Sequence, residues 1–339
     1  MRVSFLISFA CYLFLVFIII SKKENALRIL KFNKPEYIME SMPCYLLCYQ
    51  GCNHEGYNSG GHECDVGTTW TDIWGTGWVK GQRGVMGMPV VHPLSNPEKL
   101  ANYEWPDPDD ERLIGKIYKM SEEYEGGDIF LGGFNRDPLW EKAHMLVGME
   151  NMLAYLYTEP EFVKEVLSKI MDFQIGIAEH YIKLGIETVV MGDDLGTQKS
   201  LLIGIDLLYE YFYPEYKRLF DLYKQNDIII NFHSCGYIEP VLEMFMDLGV
   251  DCLNPVQASA NKLSAVRKIT AGRMALQGGI STAVLMKGTA SEIEQSVKET
   301  IKLLGKDGGY FCAPDQEMPF PDENRKAFYS ALEKYGVYD

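Results

Sequence analysis

The chain is short of positive charge. Among its 339 residues, 32 lysines and arginines stand against 47 aspartates and glutamates, which gives a formal net charge of −15 at pH 7. Proteins that bind nucleic acid need clustered lysines and arginines to contact phosphates. The deficit therefore argues against a nucleic-acid partner. It also disfavours a polyanionic small substrate, unless arginines gather in one pocket.

A dinucleotide-binding fingerprint is also missing. No GxGxxG motif follows any predicted strand, so a Rossmann sheet loses its main support. Hydrophobic residues make up 47% and charged residues 23% of the chain, which is typical of a globular protein with a large core. The length suits one α/β barrel or two smaller domains.

One long hydrophobic run, "VSFLISFACYLFLVFIII", occupies residues 3–20. It is long enough to span a bilayer, which takes about 20 apolar residues, but no small-x-small cleavage site follows it. We interpret residues 1–20 as an apolar leader, either a signal-anchor or a misplaced gene start. The misplaced start is favoured because nothing later in the chain looks secreted or membrane-bound. Lys22 and Lys23 follow the run and only Arg2 precedes it, so both interpretations predict a cytoplasmic protein, anchored to the inner face of the membrane only if the run is genuine.

Short apolar runs alternate with helical segments from residue 128 onward. The runs are 128–134, 186–194, 227–236, 250–257, 274–280 and 308–314. Strands that alternate with helices indicate parallel pairing. With one more strand expected near 36–43 and one uncertain, the count is close to eight. We therefore predict a (β/α)8 TIM barrel, with its active site at the C-terminal ends of the strands.

Residues 21–339 are predicted to form this single barrel domain. Within it, residues 50–110 are rich in glycine, tryptophan, asparagine and proline ("GYNSGGHECDVGTTWTDIWGTGW"). They are predicted to form long loops and hairpins over the barrel mouth, and loops of this length are usually functional.

Side chains that can carry chemistry gather at the predicted strand ends. In "DIIINFHSCG", residues two apart point to the same side of the strand, so His233 and Cys235 share a face. Cys312 closes the last strand. Two thiolates and one imidazole suit zinc, and three protein ligands leave a position open for substrate. The alternative is a core histidine with two buried cysteines.

The segment "MGDDLGTQ" places Asp193 and Asp194 at another strand end. They are candidate catalytic residues, able to hold a substrate amine, supply a proton or orient a zinc ligand. The alternative is a helix N-cap that faces solvent. Asn254, Gln257 and Gln277, at further strand ends, are expected to contribute to cofactor binding.

A second set of possible metal ligands lies between residues 44 and 64. It comprises Cys44, Cys48, Cys52, His54, His62 and Cys64. The spacing C-x3-C-x3-C matches no common zinc pattern, and eight cysteines in a chain of this size indicate thiols in a reducing compartment rather than disulfides. We expect this stretch to be a lid over the barrel mouth. Trp70, Trp74 and Trp78, at a spacing of four, indicate packing.

Several stretches resemble the uroporphyrinogen decarboxylase superfamily. They are "ENALRILKFNKPEYI", "FHSCGYIEPVLEMFMDLGVDCLNPVQ", "LQGGIS" and "GGYFCAPDQEMPFPDEN", and the resemblance covers about residues 24–338. The HxCG motif and the late cysteine before Ala-Pro are similar to the zinc-dependent methyltransferase branch. That resemblance implies Zn²⁺ on His233, Cys235 and Cys312. It also implies methyl transfer between a corrinoid (methylcobalamin) carried by a partner protein and a small-molecule thiol or methyl donor.

Two alternatives to this function remain. The decarboxylase branch carries an arginine cluster after its first strand, to hold the carboxylates of a porphyrinogen, but "SMPCYLLCYQGCNHEG" has no arginine. Decarboxylation in heme biosynthesis is therefore the runner-up. A non-catalytic corrinoid-binding module is the second alternative, and an open metal position argues against it.

Overall fold

The computed structural model describes residues 20–316 and 318–338. The predicted leader, residues 1–20, lies outside the described residues except for Ile20, and the predicted division into leader and single domain stays a prediction. Among the described residues, no helix combines the length and apolar character that crossing a bilayer requires.

The strands and helices of the described residues alternate along most of the chain. The strands are β1 (Cys44–Cys48), β2 (Thr69–Thr71), β3 (Gly77–Val79), β4 (Met88–Val91), β5 (Phe130–Asn135), β6 (Thr188–Gly192), β7 (Ile229–His233), β8 (Cys252–Val256), β9 (Ala275–Ile280) and β10 (Tyr310–Pro314). The α-helices are α1 (Lys22–Leu30), α2 (Glu111–Glu122), α3 (Trp140–Val147), α4 (Met149–Thr158), α5 (Pro160–Lys183), α6 (Ile205–Leu207), α7 (Tyr213–Gln225), α8 (Leu242–Asp247), α9 (Leu263–Thr270), α10 (Thr282–Lys287), α11 (Ala290–Leu304) and α12 (Asp322–Tyr335). Short 3-10 turns at Gly61–Glu63, Pro97–Asn102 and Glu239–Val241 and a π turn at Leu208–Phe212 complete the list.

Seven of these strands form one parallel sheet in the order β1-β5-β6-β7-β8-β9-β10. From β5 onward each strand pairs with the next strand along the chain, and at least one helix connects them. The six strands predicted from residue 128 onward all lie in this sheet. The parallel order brings the C-terminal ends of the strands to one edge, which is where a barrel of this kind carries its site.

The first strand lies later than predicted. It forms at Cys44–Cys48, whereas residues 36–43 contribute only an isolated bridge between Tyr37 and Val337. Pro43 has no N–H to donate to a ladder, so regular pairing begins after it. The carbonyl of Met39 nevertheless accepts a 2.8 Å hydrogen bond from the N–H of Cys312. The segment before β1 therefore lies beside β10 and links the two edges of the sheet.

Helix α1 closes the N-terminal end of the barrel. Ala26 and Ile29 of this helix pack with Phe130, Cys252 and Phe311, which lie at or near the N-terminal starts of their strands. The N-terminus of the helix is capped, because the Ser21 side chain accepts a hydrogen bond from the N–H of Glu24. The opposite end of the barrel is left for the functional site.

Strands β2, β3 and β4, which follow β1 in the chain, form a separate antiparallel sheet. We call residues 61–91 the flap. Trp78 is fully buried in it and stacks on Trp70 and on the His54 ring, with centroid distances of 6.1 Å and 4.6 Å. Trp74 instead packs edge-on against Trp105 and Phe173, so all three tryptophans have packing roles, as predicted.

Candidate metal centre and adjoining pocket

Strand β7 presents alternate residues to the outer helices and to the barrel interior. Its apolar residue Phe232 is fully buried against Phe220 and Phe245 on the outer side. The alternation of a strand then turns Asn231 and His233 inward. Asn231 sits beside Cys252 of β8 in register, and His233 sits beside Asn254.

Three donor atoms converge at the end of β7. The Sγ atom of Cys235 lies 3.2 Å from Nε2 of His233, and that nitrogen lies 3.4 Å from Oδ1 of Asp194. All three atoms lie within 4.8 Å of one another, and they are the only such group of three among the described residues. The His233 and Asp194 side chains are each 42% exposed. A thiolate, an imidazole and a carboxylate are ligands that zinc accepts, and the exposure leaves room for a substrate.

Hydrogen bonds around His233 set its ring orientation. Nδ1 lies 3.1 Å from the amide oxygen of Asn254, whose own amide nitrogen donates to Asn231. An amide oxygen can only accept, so Nδ1 carries a proton. In the neutral ring Nε2 then carries the free lone pair, and this nitrogen faces Cys235 and Asp194. Partners of this kind commonly orient a metal-binding histidine.

The charges of the three groups are strongly interdependent. Burial disfavours the imidazolium of His233, but contacts with Asp194 and Cys235 outweigh it and raise the pKa of His233 well above its usual value. Burial would likewise raise the pKa of Asp194, yet hydrogen bonds from His233 and from the N–H of Cys235 lower it. A proton on Nε2 therefore occupies the place that suits a metal cation, and metal binding would displace it.

Two glycines make room for this arrangement. Gly192 sits beside His233 in register, and a Cβ atom there would overlap the His233 side chain. Gly236 has a φ of 79° and packs on Gly196, where a Cβ would overlap the carbonyl of that residue. Glycine is thus required at both places, directly beside the predicted ligands.

The predicted cofactor-binding residues lie in different surroundings. Asn254 orients His233 and, with Gln277, lines a recess of about 290 Å³ on the β8–β10 side. Gln257 instead holds the loop after β7, because its side-chain oxygen accepts from the N–H of Gly236 at 3.0 Å. Asn261, which sequence reasoning missed, supports the same loop by donating 2.8 Å to the Gly236 carbonyl.

Asp193 lies away from the pocket that its neighbour Asp194 lines. It is fully buried, and its carboxylate accepts from the N–H groups of Leu139 and Glu141 at 3.0 and 2.8 Å and from the hydroxyl of Tyr216 at 2.6 Å. Helix α3 has no cap from its own N-cap residue, so Asp193, the residue after β6, supplies that cap. The structure thus gives Asp193 capping contacts at the start of α3, and its catalytic role stays a prediction.

Cys312 is not brought to the other two predicted zinc ligands. Its neighbour Phe311 points into the barrel and packs on α1, so Cys312 points the opposite way into the outer core, where it is fully buried. Burial raises the pKa of its thiol to about 12, which disfavours the thiolate that a metal needs. Asp194 takes the third place in the group of donors.

The second histidine–cysteine set is dispersed in structural contacts. Nε2 of the fully buried His54 lies 2.7 Å from the carboxylate of Asp137. Nδ1 of His62 accepts a 2.7 Å hydrogen bond from the N–H of Gly87. Cys52 is buried with its thiol 3.3 Å from the carbonyl of Phe134. In the part of the chain that the structure describes, these residues form no group of metal donors.

A pocket of about 300 Å³ adjoins the donor group. It is lined by Met86, Phe134, Arg136, Asp137, Glu141, Val190, Met191, Gly192, Asp194, His233 and Asn254. Three charged members of this lining, Arg136, Asp137 and Glu141, were missed by sequence reasoning. The signal was present for the first two, because "NRD" directly follows the apolar residues of β5.

Two of the three acidic residues of this lining, Asp137 and Glu141, are in contrasting states. Burial would raise the pKa of Asp137, but the neighbouring His54, Lys142 and Arg136 outweigh it and hold that pKa well below its usual value. Burial, with the charges of Asp137 and of the Asp193–Asp194 pair, raises the pKa of Glu141 to about 10. Asp137 is therefore fixed in its charged form, whereas Glu141 keeps its proton at neutral pH.

The chain is similar in sequence to known proteins of one family. The family model "Uroporphyrinogen decarboxylase (URO-D)" matches residues 79–335. The chain belongs to the URO-D family. A uroporphyrinogen decarboxylase from Histophilus somni is 24% identical over 272 residues, which is 74% of this chain and 72% of the relative. The family match over residues 79–335 includes the donor group and the pocket lining.

Methyltransferases are relatives at the same level of identity. A methylated-thiol–coenzyme M methyltransferase from Methanosarcina mazei is 24% identical, covering 73% of this chain and 65% of the relative. A methylcobamide:CoM methyltransferase from the same organism is also 24% identical, with 69% and 68% covered. A solved methyltransferase from Methanosarcina mazei matches with a TM-score of 0.68 at 15% identity, covering 93% of this chain and 99% of that one. The predicted URO-D-like barrel fold is thereby confirmed.

Proposed function

We propose that this protein is a zinc-dependent methyltransferase, which moves a methyl group between a corrinoid carried by a partner protein and a small-molecule thiol or methylated compound. One observation carries the proposal: the atoms of Asp194, His233 and Cys235 converge at the barrel mouth beside the pocket. The names of the two Methanosarcina mazei relatives, which specify a thiol and a methylcobamide as reactants, support it.

The donor chemistry of the group fits zinc. One thiolate, one imidazole and one carboxylate would hold the ion, and a fourth position would face the pocket. A zinc ion held there would lower the pKa of a thiol or polarise a methylated heteroatom, which is the chemistry that methyl transfer at neutral pH requires. Asn254 would keep the His233 ring in the tautomer that binds, through the 3.1 Å contact to Nδ1.

The remaining pocket residues position the reactant and control protons. Phe134 and Val190 form apolar walls that exclude water from one side of the reactant. Glu141 accepts a 3.3 Å hydrogen bond from the N–H of Asp194, which ties this carboxyl to the donor group. Since it retains its proton at neutral pH, it is placed to hydrogen-bond a heteroatom that has lost its methyl group.

Decarboxylation remains the runner-up, since decarboxylases and methyltransferases are relatives at equal identity. The pocket lining contains one arginine, Arg136. A substrate with several carboxylates needs several cations to offset its desolvation, and the chain carries a net charge of −15. A non-catalytic corrinoid-binding module would leave the donor group without a purpose.

The test is a methyl-transfer assay on purified protein loaded with zinc. Methylcobalamin and 2-mercaptoethanesulfonate are supplied, and loss of the methylcobalamin spectrum is followed with formation of the thioether. We expect transfer that depends on zinc. A Cys252→Ala control should retain it, because Cys252 packs near α1 at the N-terminal end of the barrel. Conversion of uroporphyrinogen to coproporphyrinogen at enzymatic rates, with no methyl transfer, would contradict the proposal.

A further inference from the structure

The pocket beside the donor group is bounded by different chemistry on its two sides. His233 and Asn254 also line the recess that contains Gln277, so they mark the boundary on the β8–β10 side. Arg136 and Met86 also line an open recess of about 550 Å³ under the flap, so they mark the opposite boundary. A small molecule in the pocket therefore meets the metal donors on one side and a guanidinium on the other.

The Arg136 guanidinium has only weak contacts with the chain. Its Nη1 lies 3.4 Å from the side-chain oxygen of Asn53, and its Nη2 lies 3.3 Å from the sulfur of Met86, which is a weak acceptor. A carboxylate oxygen of Asp137 lies 3.9 Å from its Nε. A guanidinium has five N–H donors, so most of its hydrogen-bonding capacity is open to the pocket.

Other arginines show what a satisfied guanidinium looks like in this protein. Arg218 lies 2.6 Å from Asp172, Arg273 lies 2.9 Å from Glu243, and Arg28 lies 2.9 Å from Glu24. Arg28 and Arg218 are 35% and 40% exposed, close to the 37% of Arg136, so the distance to a carboxylate, and not burial, separates them from Arg136. Arg136, at the pocket boundary, is the one left with a longer contact than any of these three.

The acidic groups of the pocket are already engaged elsewhere. Asp137 is 2.7 Å from His54, Asp194 accepts from the N–H of Cys235 at 2.8 Å, and Glu141 accepts from the N–H of Asp194 at 3.3 Å. Each carboxyl thus has a partner in the chain. Arg136 remains the charged group of the lining whose strongest possible partner, a carboxylate at bonding distance, is missing among the described residues.

We propose that Arg136 is a subsite for a single carboxylate, and that the small molecule whose methyl group is transferred is a monocarboxylate. This rests on the proposed function and names its substrate class. The planar fork of the guanidinium binds a carboxylate through two parallel hydrogen bonds. Phe134 and Val190 would contact the apolar middle of the molecule, and its methylated heteroatom would reach the His233 side. A volume of about 300 Å³ suits a molecule of this size.

Three probes of matched shape and different charge test the subsite. They are 3-methoxybenzoate, 3-methoxybenzamide and 3-methoxybenzylamine, titrated into the zinc-loaded full chain by calorimetry. A charge-assisted hydrogen bond contributes about 1.5–3 kcal/mol, so we expect the benzoate to bind roughly 10- to 100-fold more tightly than the amide. Arg136→Gln should remove this preference while leaving amide binding in place, and Arg136→Lys should retain part of it.

Arg83→Gln is the matched control. Arg83 is exposed and lines only the outer recess under the flap, so removing its charge should leave the benzoate preference intact. Circular dichroism and thermal unfolding show that the variants are folded. A preference that survives Arg136→Gln, equal or tighter binding of the amide or the amine, or no binding of any probe would overturn the subsite.

Zinc content and transfer from methylcobalamin to the thiol are measured on the same wild-type preparations. Transfer with no carboxylate preference would refute the subsite and leave the proposed function standing. Absence of zinc binding and transfer, with the preference intact, would refute the proposed function and the methyl-transfer substrate, and would leave the carboxylate subsite at Arg136 standing.

Discussion

Two regions of this protein contain histidine and cysteine close together, and the structure uses them in opposite ways. At the end of β7, His233 and Cys235 turn their donor atoms toward Asp194 in a partly exposed position. After β1, His54 and His62 are enclosed by tryptophans and engaged by Asp137 and a backbone N–H. Residue type is the same in both regions. The candidate metal centre differs from the packed set because its three donor atoms lie within 4.8 Å of one another at a partly exposed position.

The largest effect should come from removing a donor at the end of β7. Cys235→Ala and His233→Ala should each lose most of the bound zinc and abolish methyl transfer, because two remaining donors hold the ion too weakly. Metal content by mass spectrometry and the methylcobalamin assay check this. Thermal unfolding should show that both variants are folded, since both side chains lie at the barrel mouth. Full zinc occupancy in Cys235→Ala would show that the donor group is wrongly chosen.

A large loss of stability, without loss of zinc, should follow His54→Ala. The substitution leaves Asp137 and Lys142 buried without the ring that lies between them, at 2.7 Å and 3.4 Å. Burial lowers the pKa of His54, so its neutral ring donates to the charged Asp137, and losing a hydrogen bond to a charged group costs about 1.5–3 kcal/mol of unfolding free energy. Chemical denaturation measures this change. Cys64→Ser, at a half-buried position of the same set, serves as the control and should change stability little.

Loss of zinc from His54→Ala at unchanged stability would reverse the comparison. The packed set would then be a metal site, and the contrast between the two regions would fail.

A smaller effect is expected from the acid titration of His62. Burial, followed by the nearby charge of His54, lowers the pKa of His62 from 6.5 to about 3. Below pH 6.5 the unfolded chain takes up a proton that the folded His62 refuses, so its contribution to stability is present above that pH and is lost as pH falls toward 3. The difference in melting temperature between wild type and His62→Gln should therefore shrink from pH 7.5 to pH 5. A difference that is constant across this range would contradict the assignment.

The sequence predicts the β7 end of the site better than the rest of the site because its signal is local. Alternation within "INFHSC" places His233 and Cys235 on one face whatever the neighbouring strands do. In "GYFCAP" Tyr310 and Phe311 are both apolar, so the alternation cannot show which of Phe311 and Cys312 points inward. The structure turns Phe311 inward, and Cys312 is therefore buried on the outer side.

Other differences depend on contacts that are distant in the chain. Asp193 and Asp194 are adjacent and chemically identical, yet one caps α3 and the other joins the donor group. Only the packing of α3 against β6 separates their roles. Arg136 follows a strand, as many surface arginines do, and becomes notable because Asp137 beside it is already bound to His54.

X-ray absorption at the zinc edge tests the central claim most directly, because it counts the sulfur ligands of the bound ion. We predict one sulfur at about 2.3 Å, with nitrogen and oxygen ligands at about 2.0–2.2 Å, and an unchanged spectrum in Cys312→Ala. Two sulfur ligands in the wild type, falling to one in Cys312→Ala, would contradict the assignment of Asp194, His233 and Cys235 as the metal donors.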